Sequence, residues 1–561
     1  MRKWEHVNQL MRECRIGILA VQEAHLNQSR VDDLHDLFPR LLIIHSEHPL
    51  HPERTAGTAI VLNRDLVDIN GVQSMEIIPG YAHLVQIAWH GTRVLTVLNI
   101  YSPSHTDADK RSFWEALDLF WSENDAPIPD IMLGDFNLVE EAIDRVPCRS
   151  DPYSVVEKLT SFKTSLSLHD GWRTRHPNSK AYSFERTCEG RTSLARLDRI
   201  YVSEDILEHA VDWLIRESPI PTDHKLVSFR IFDENVPYLG RGRYVIPPEL
   251  MNDNVYLAKV IELGLCVQRG IDGLQERTHD SNPQILWKRD FKDKIIPLTR
   301  QYMKSKFPKT SQGRLQVLYK ERDALLDRGE SAEKLRQLQD INLRIKSLES
   351  KAHESNRLAV TARDWIEGGT PGKYFSNLHK DRSPRDILYR LRDHTSTDED
   401  RPRYFTRSDS MARYARDYHD SRQNVVPNPS EQAILEQTES LRLFIERKLT
   451  PAEANEIDPL CDIASLTLAL KKAKSSSAPG LDGIPYSLYQ VLHSISVNTK
   501  NRPKFEVVRI LKAVHDDVIL NGVAPGSGYT DGWLALLYKK GEIDRVENYR
   551  PITCLNTDYK L

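Results

Sequence analysis

The sequence predicts an α+β chain whose chemistry is concentrated in its first 232 residues. Three observations carry that expectation. Short apolar runs in this stretch end in acids, amides or histidine; strand signals give way to amphipathic helix after Phe232; and a strand pair returns close to Leu561. With 561 residues, 40% hydrophobic and 28% charged, the composition describes a globular polypeptide with room for roughly two to four domains. No apolar run approaches the roughly 18 residues that a membrane span needs, and the charged, amphipathic start is not a signal peptide. The six cysteines are scattered without metal-ligand spacing and read as free thiols of a reducing compartment. The net charge of −3 hides an acidic excess in residues 1–232 and a basic excess beyond them.

Taken in order, Trp4, Val7, Leu10 and Met11 recur at helical spacing and predict an opening helix. Ile16 to Gln22 predicts a buried strand that delivers Glu23 at its end. A hard cation such as Mg²⁺ takes oxygen ligands and few protein carboxylates, which suits Glu23. Val97–Ile100 predicts another strand, ending in Tyr101. Its phenol can donate to a phosphate oxygen or simply pack. Ile131 to Asn137 is the most informative stretch: an apolar run reaches Gly134, then presents Asp135 and Asn137 two residues apart. On a strand those side chains share a face. An acid that holds a water beside an amide that directs it suits attack on phosphorus with a metal nearby, although a Gly-Asp turn after a strand is also an ordinary feature. The alternation over Leu197–Val202 puts Asp198 on the apolar side with Ile200 and Val202, where a charge requires a partner. Asp223 and His224, ahead of another apolar strand, supply it. An acid paired with His224 would orient the imidazole and favour its protonated form.

Together the blocks QEAH, NIYSPS, GDFN, RLDRIYVS and PTDH, spread over residues 4–232, resemble the endonuclease/exonuclease/phosphatase superfamily, and within it the endonucleases of LINE-type (non-LTR) retrotransposons. The resemblance implies a four-layer α/β-sandwich, Mg²⁺ or alternatively Mn²⁺ as cofactor, and a DNA target nicked by phosphodiester hydrolysis. It implies catalytic roles for Asp135, Asn137, His224, Asp198 and Tyr101, with Glu23 and Asp223 at the metal. In the retrotransposon branch a hydroxyl after an aromatic lines the cleft, here Ser183. Two departures stand out. The first strand of the family, with its metal-site Asn, has no counterpart ahead of the opening helix, and Thr222 replaces the usual Ser. A sheet short of that strand would expose pairing edges. The alternative reading is a catalytically inactive retroelement fragment that retains nucleic-acid binding.

Residues 233–250, rich in Pro and Gly, read as a linker, and 251–430 as a helical connecting region. Leu315, Leu318, Leu335, Leu338, Ile341, Ile345 and Leu348 recur at helical spacing with a break near Gly329, predicting a hairpin that packs within the chain rather than a coiled-coil dimer. Its basic surroundings suit either a phosphate backbone or solvent. Trp365 to Phe375 is an aromatic-basic cluster that can stack on a base or pack, and Thr395–Arg401 is an acidic, polar loop. Residues 431–561 carry an Ala-Pro-Gly-Leu-Asp-Gly loop at 478–483 and the segment Asn548 to Lys560. The latter resembles the amino-terminal fingers of reverse transcriptases of the same elements. That resemblance implies Lys540, or Lys539, and Arg550 as nucleotide-phosphate contacts on the two arms of a hairpin, and element RNA as a partner in the nucleus. The paired polymerase aspartates of that family fall beyond Leu561, and Asp516-Asp517 lies in a helical run. No polymerase activity is expected, and the fingers fragment is expected to expose an incomplete core.

Overall fold

The computed structural model describes residues 2–89, 93–188, 191–232, 242–307, 310–326, 328, 331–367, 382, 384, 387–396, 402–423, 430–445, 450–451, 453, 460–500 and 503–561. The chain gathers into two compact units, Met1–Val236 with Lys309–Ile387, and Pro237–Pro308 with Leu388–Leu561.

In the first unit, helices α1 (Arg2–Glu13) and α2 (Gln28–Leu37) cover a three-stranded sheet ordered β1 (Ile18–Gln22), β3 (Thr58–Asn63), β2 (Leu41–Ser46). Every residue of β3 is buried because its two faces serve different cores: Ala59 and Val61 meet Trp4, Met11, Val31 and Leu34, whereas Ile60 and Leu62 face the next layer. That layer is a six-stranded sheet ordered β4 (Gln73–Ile78), β5 (Ala82–Trp89), β6 (Arg93–Tyr101), β7 (Ile131–Asp135), β12 (Asp198–Val202), β9 (His169–Asp170). Its far face packs on α3 (Asp107–Glu123) and α4 (Tyr153–Ser165) through Trp114, Leu117, Leu159 and Phe162. The pair β13 (Ala210–Arg216) and β14 (Leu226–Ile231) stacks beside β12 on the inner side, and β8 (Arg145–Val146), β10 (Phe184–Cys188) and β11 (Arg191–Ala195) form a small separate sheet. Helix, split sheet, six-stranded sheet and helix make four layers. Among the described strands, β1 pairs only with β3 and β14 only with β13.

Helices Ser311–Leu326 and Ala332–Glu367 form the hairpin expected from the leucine spacing and pack within this same unit. The side chains of residues 361–381, which include most of the aromatic-basic cluster, lie outside the described residues, as do 397–401 of the acidic loop.

The second unit is built by itself around helix Asn254–Asp272, the π-helical turn Trp287–Lys292, and helices Ile463–Lys472, Tyr486–Asn498 and Val507–Asn521. Its units of packing differ from those expected. Ile246 and Leu250, placed in the linker, are fully buried in this core, and the boundary expected at residue 430 falls inside the unit. Helices on the two sides of that boundary close one apolar core, so the C-terminal segment is not left with an open one. Lys292 locks them by ion pairs of 2.8 Å to both Asp482 and Asp558. What does stay exposed is helix Glu431–Phe444, with Leu443 87% exposed, and much of the hairpin Gly532–Tyr538/Tyr549–Leu555. Asp516 and Asp517 sit in helix Val507–Asn521, paired with Lys512 and Arg277.

One backbone constraint fixes the centre of the first unit. Gly134 has φ +146°, and a Cβ there would stand 1.9 Å from the Ile100 carbonyl oxygen on the adjacent strand. Gly134→Ala is therefore expected to destabilise the unit by about 3 kcal/mol or more, combining backbone strain with overpacking. Chemical denaturation of this variant beside the unmutated chain measures it, and an unchanged midpoint would contradict the argument.

Candidate active site

Strand register assembles the site. β6 and β7 run parallel with Tyr101 opposite Asp135, and β7 and β12 run antiparallel with Asp198 opposite Asp135. Opposed residues on adjacent strands share a face. The three side chains thus stand in a row that continues the apolar rows Val97, Ile131 and Ile200 to the mouth of the inter-sheet core. Glu23 follows β1 with φ +51°, a conformation that Glu rarely adopts and that marks a constrained position. Gln22 Nε2 donates to Asn99 Oδ1 (2.7 Å) and Ala24 N donates to the Gly57 carbonyl (2.9 Å), which fixes the turn. Tyr101 OH then donates to Glu23 Oε1 at 2.5 Å.

Asp135 is 6% exposed. Its Oδ1 accepts from Asn137 N (2.9 Å), and Asn137, in the left-handed region at φ +45°, donates from Nδ2 to the Ser102 carbonyl (2.8 Å). Lys110 Nζ donates to the Asn137 carbonyl at 2.6 Å. His224 Nδ1 lies 2.8 Å from Asp198 Oδ2, and the Phe184 ring packs on the imidazole at 5.0 Å. Burial, and next the negative charge of Asp198, push the Asp135 carboxyl up to about 7, against the opposing pull of His224. For His224, burial lowers the value but the hydrogen bond and charge of Asp198 outweigh it, raising it to about 9. Burial and the Glu23 hydrogen bond raise Tyr101, which keeps its phenol proton.

The structure thus brings together Glu23, Tyr101, Asp135, Asn137, Asp198 and His224. Ser183 requires a correction. It is fully buried rather than lining a cleft, and its Oγ accepts from Leu197 N (3.0 Å) and Asp198 N (2.9 Å), fixing the start of β12. Asp223 is exposed at the rim, where its charge supports protonation of His224. In the second unit, Arg550 is exposed on its strand opposite Leu537. Lys540 lies in the turn, two residues beyond the end of the strand at Tyr538, and not on the arm expected for it. Residues that sequence reasoning missed are Gln22, Asn99, Ser102, Lys110 and Phe184. None carries an obvious chemical signal: Gln22 and Asn99 hydrogen-bond to each other, Ser102 and Lys110 hold Asn137 through carbonyl contacts, and Phe184 packs on His224.

The donor set suits a hard divalent cation. Ligand atoms of Asp135, Asp198 and His224 lie within 4.8 Å of one another, but a protonated imidazole bonded to Asp198 has no lone pair to offer. A cation beside Asp135 would ease the ionisation that burial and the charge of Asp198 oppose, and Glu23 joins the same row through its hydrogen bond from Tyr101. Asp223 is exposed and, like Glu23, is not among the three residues whose ligand atoms converge.

Both shifted groups favour the protonated folded state. The His224 contribution is full below its ordinary 6.5 and is lost as pH rises through about 9, and the Asp135 contribution is full below its ordinary 3.8 and is lost by the time pH passes about 7. The melting temperature of the metal-free protein should fall between about pH 4 and 9.5, and Asp198→Asn should remove the upper part of that fall; a flat profile would contradict both shifts. Ser183→Ala leaves two backbone N–H groups without their acceptor and should cost about 1–3 kcal/mol in denaturant titrations, whereas a surface serine change would cost almost nothing.

Residues 5–224 match the model of the Endonuclease/Exonuclease/phosphatase family. Over 527 residues, 91% of the chain, the sequence is 26% identical to the transposon TX1 uncharacterized 149 kDa protein of Xenopus laevis, and it spans 36% of the length of that relative. Among solved structures, an AP endonuclease from Archaeoglobus fulgidus is similar at 19% identity over 41% of this chain and 95% of that one, with a TM-score of 0.34. The endonuclease domain of TRAS1, a telomere-specific non-LTR retrotransposon, is similar at 16% identity over 41% of this chain and 94% of that one, with a TM-score of 0.32. The match to the Endonuclease/Exonuclease/phosphatase family thus spans residues 5–224, which include Glu23, Tyr101, Asp135, Asn137, Asp198 and His224.

Proposed function

We propose that this chain is the nuclease-bearing part of a retrotransposon protein, and that its first unit nicks DNA by hydrolysing a phosphodiester bond with Mg²⁺, or Mn²⁺ in its place. The observation that carries the reading is the convergence of Glu23, Tyr101, Asp135 and the Asp198–His224 pair at one end of the inter-sheet core. The cation would supply a Lewis acid and neutralise a phosphate oxygen, held by Glu23 and Asp135. Asp135 accepts the proton of the attacking water once ionised, and the Asn137 amide directs water and phosphate beside it. The His224 imidazolium, held by Asp198, presents its Nε2–H to the phosphate and stabilises charge that develops in the transition state. The Tyr101 phenol, whose one proton goes to Glu23 in this structure, would turn it to a non-bridging oxygen when substrate binds.

The transposon relative supports a mobile-element setting, in which the partners would be a chromosomal DNA target and element RNA, and the site of action the nucleus. For the second unit we read the exposed hairpin with Arg550 and Lys540 as fingers-like phosphate contacts, supported by the sequence Asn548 to Lys560. Supercoiled plasmid with Mg²⁺ tests the nuclease: the unmutated chain should produce open circles, with Asp135→Ala and His224→Ala each slowing the reaction by roughly 10²–10⁴-fold. Plasmid binding without any nicking would favour the inactive, binding-only alternative.

A further inference from the structure

We propose that the helical hairpin Ser311–Leu326/Ala332–Glu367, which lies outside the residues matched to the family, is a working part of the active site: it grips residues 182–185 and through them positions Asp198 and His224. The claim rests on the nuclease reading of that site. The two sides of the 182–185 segment do different things. Tyr182, 6% exposed, is buried among Val146, Leu194, Leu325, Leu326 and Leu338, so its ring seats against both hairpin helices. Glu185 Oε2 accepts from Asn342 Nδ2 at 3.0 Å. Between them, Ser183 Oγ accepts from the backbone of Leu197 and Asp198, and the Ser183 carbonyl accepts from Lys225 N at 2.6 Å. Phe184 packs on the His224 ring and forms a bridge to that residue. Hairpin contacts at 182 and 185 therefore flank the contacts that 183 and 184 make toward the catalytic pair, and any tilt of the segment reaches both members of it.

The same hairpin reaches further over the unit. The Tyr319 hydroxyl donates to Glu349 (2.6 Å), and the Tyr319 ring faces the Arg216 guanidinium at 6.0 Å. Arg216 closes the register of β13 opposite Leu226, two residues after His224. At its other end, His353 contacts His6 on α1 (2.8 Å) and accepts at its carbonyl from Gln9 (2.9 Å). The two helices of the hairpin thus tie the sheet of β8, β10 and β11, the β13–β14 pair and α1 to one another. These are the pieces among which the described strands form no continuous sheet. Hydrophobic seating of Leu326 and Leu338 holds the strap in place, whereas Leu343 on the same helix is 67% exposed.

The experiment uses the full chain with Leu338→Asp to unseat the strap, Leu343→Asp as the same change on the solvent face, and Leu338→Met as a volume-conserving rescue. Plasmid nicking with Mg²⁺ should lose roughly tenfold to a hundredfold in kcat for Leu338→Asp with little change in KM, because displacement of catalytic groups far from the mutated residue is costly. Leu343→Asp and Leu338→Met should keep the unmutated rate. Leu338→Ala, a milder cavity, should fall between, and covers the case in which the aspartate variant fails to fold. Amide exchange over Leu226–Ile231 should quicken in the Leu338→Asp and Leu338→Ala proteins and not in the other two. That readout needs no activity, so a chain that nicks nothing would remove the nuclease reading while the strap is still tested. Exchange and kcat both unchanged in the Leu338 variants would overturn the proposal.

Discussion

Two carboxylates, Asp135 and Asp198, stand opposite each other on adjacent strands at the end of an apolar core, and the architecture around them answers that electrostatic problem. Burial first, and next the charge of Asp198 beside it, drive the Asp135 carboxyl up to about 7. The fold meets the cost from two directions. His224, drawn in by Asp198, carries a positive charge on one side, and the oxygen-rich corner at Glu23 offers a place for a divalent cation on the other. Gly134 permits the close approach of β7 to β6 that sets Tyr101 beside Asp135, and Ser183 fixes the backbone at Asp198.

β12 shows how one strand serves two chemistries. Asp198, Ile200 and Val202 face the inter-sheet side, whereas Arg199 and Tyr201 point the other way into a buried polar network with Glu140. Arg196, just ahead of the strand, joins it by pairing with Asp144 at 2.6 Å and Asp170 at 2.8 Å. Arg199 at 1% and Arg196 at 2% exposure are tolerable because Arg196 grips Asp144 with two nitrogens and Arg199 meets Glu140 and Asp144 through one nitrogen each. The network anchors the strand from behind while its front presents Asp198 to the site.

Much of the site was legible because strand-end chemistry leaves a local mark. Apolar runs that stop at Glu23, Tyr101 and Asp135 announce both the strand and the group it delivers, and period-two alternation placed Asp198, at the start of its strand, on the correct face. Local pattern cannot reveal which way a hydroxyl turns in the third dimension. Ser183 was read as facing a cleft and instead serves two backbone donors. Nor can it show which distant helices share a core: Ile246 sits beside Pro and Gly residues typical of a linker, yet is fully buried among helices more than 200 residues downstream. Lys540 was assigned to a strand arm because its strand was drawn too long, and the turn already begins after Tyr538.

The account stands on Glu23 and Asp135 sharing a divalent cation, and proton release on metal binding tests that most directly. Because the Asp135 carboxyl is raised to about 7, Mg²⁺ added to weakly buffered protein should displace a proton from a growing share of molecules as pH falls from about 8 to 6. Asp135→Asn should abolish the release, and Glu23→Gln should weaken binding. Mg²⁺ that binds with no proton release, or that binds the Asp135→Asn protein equally well, would contradict the account.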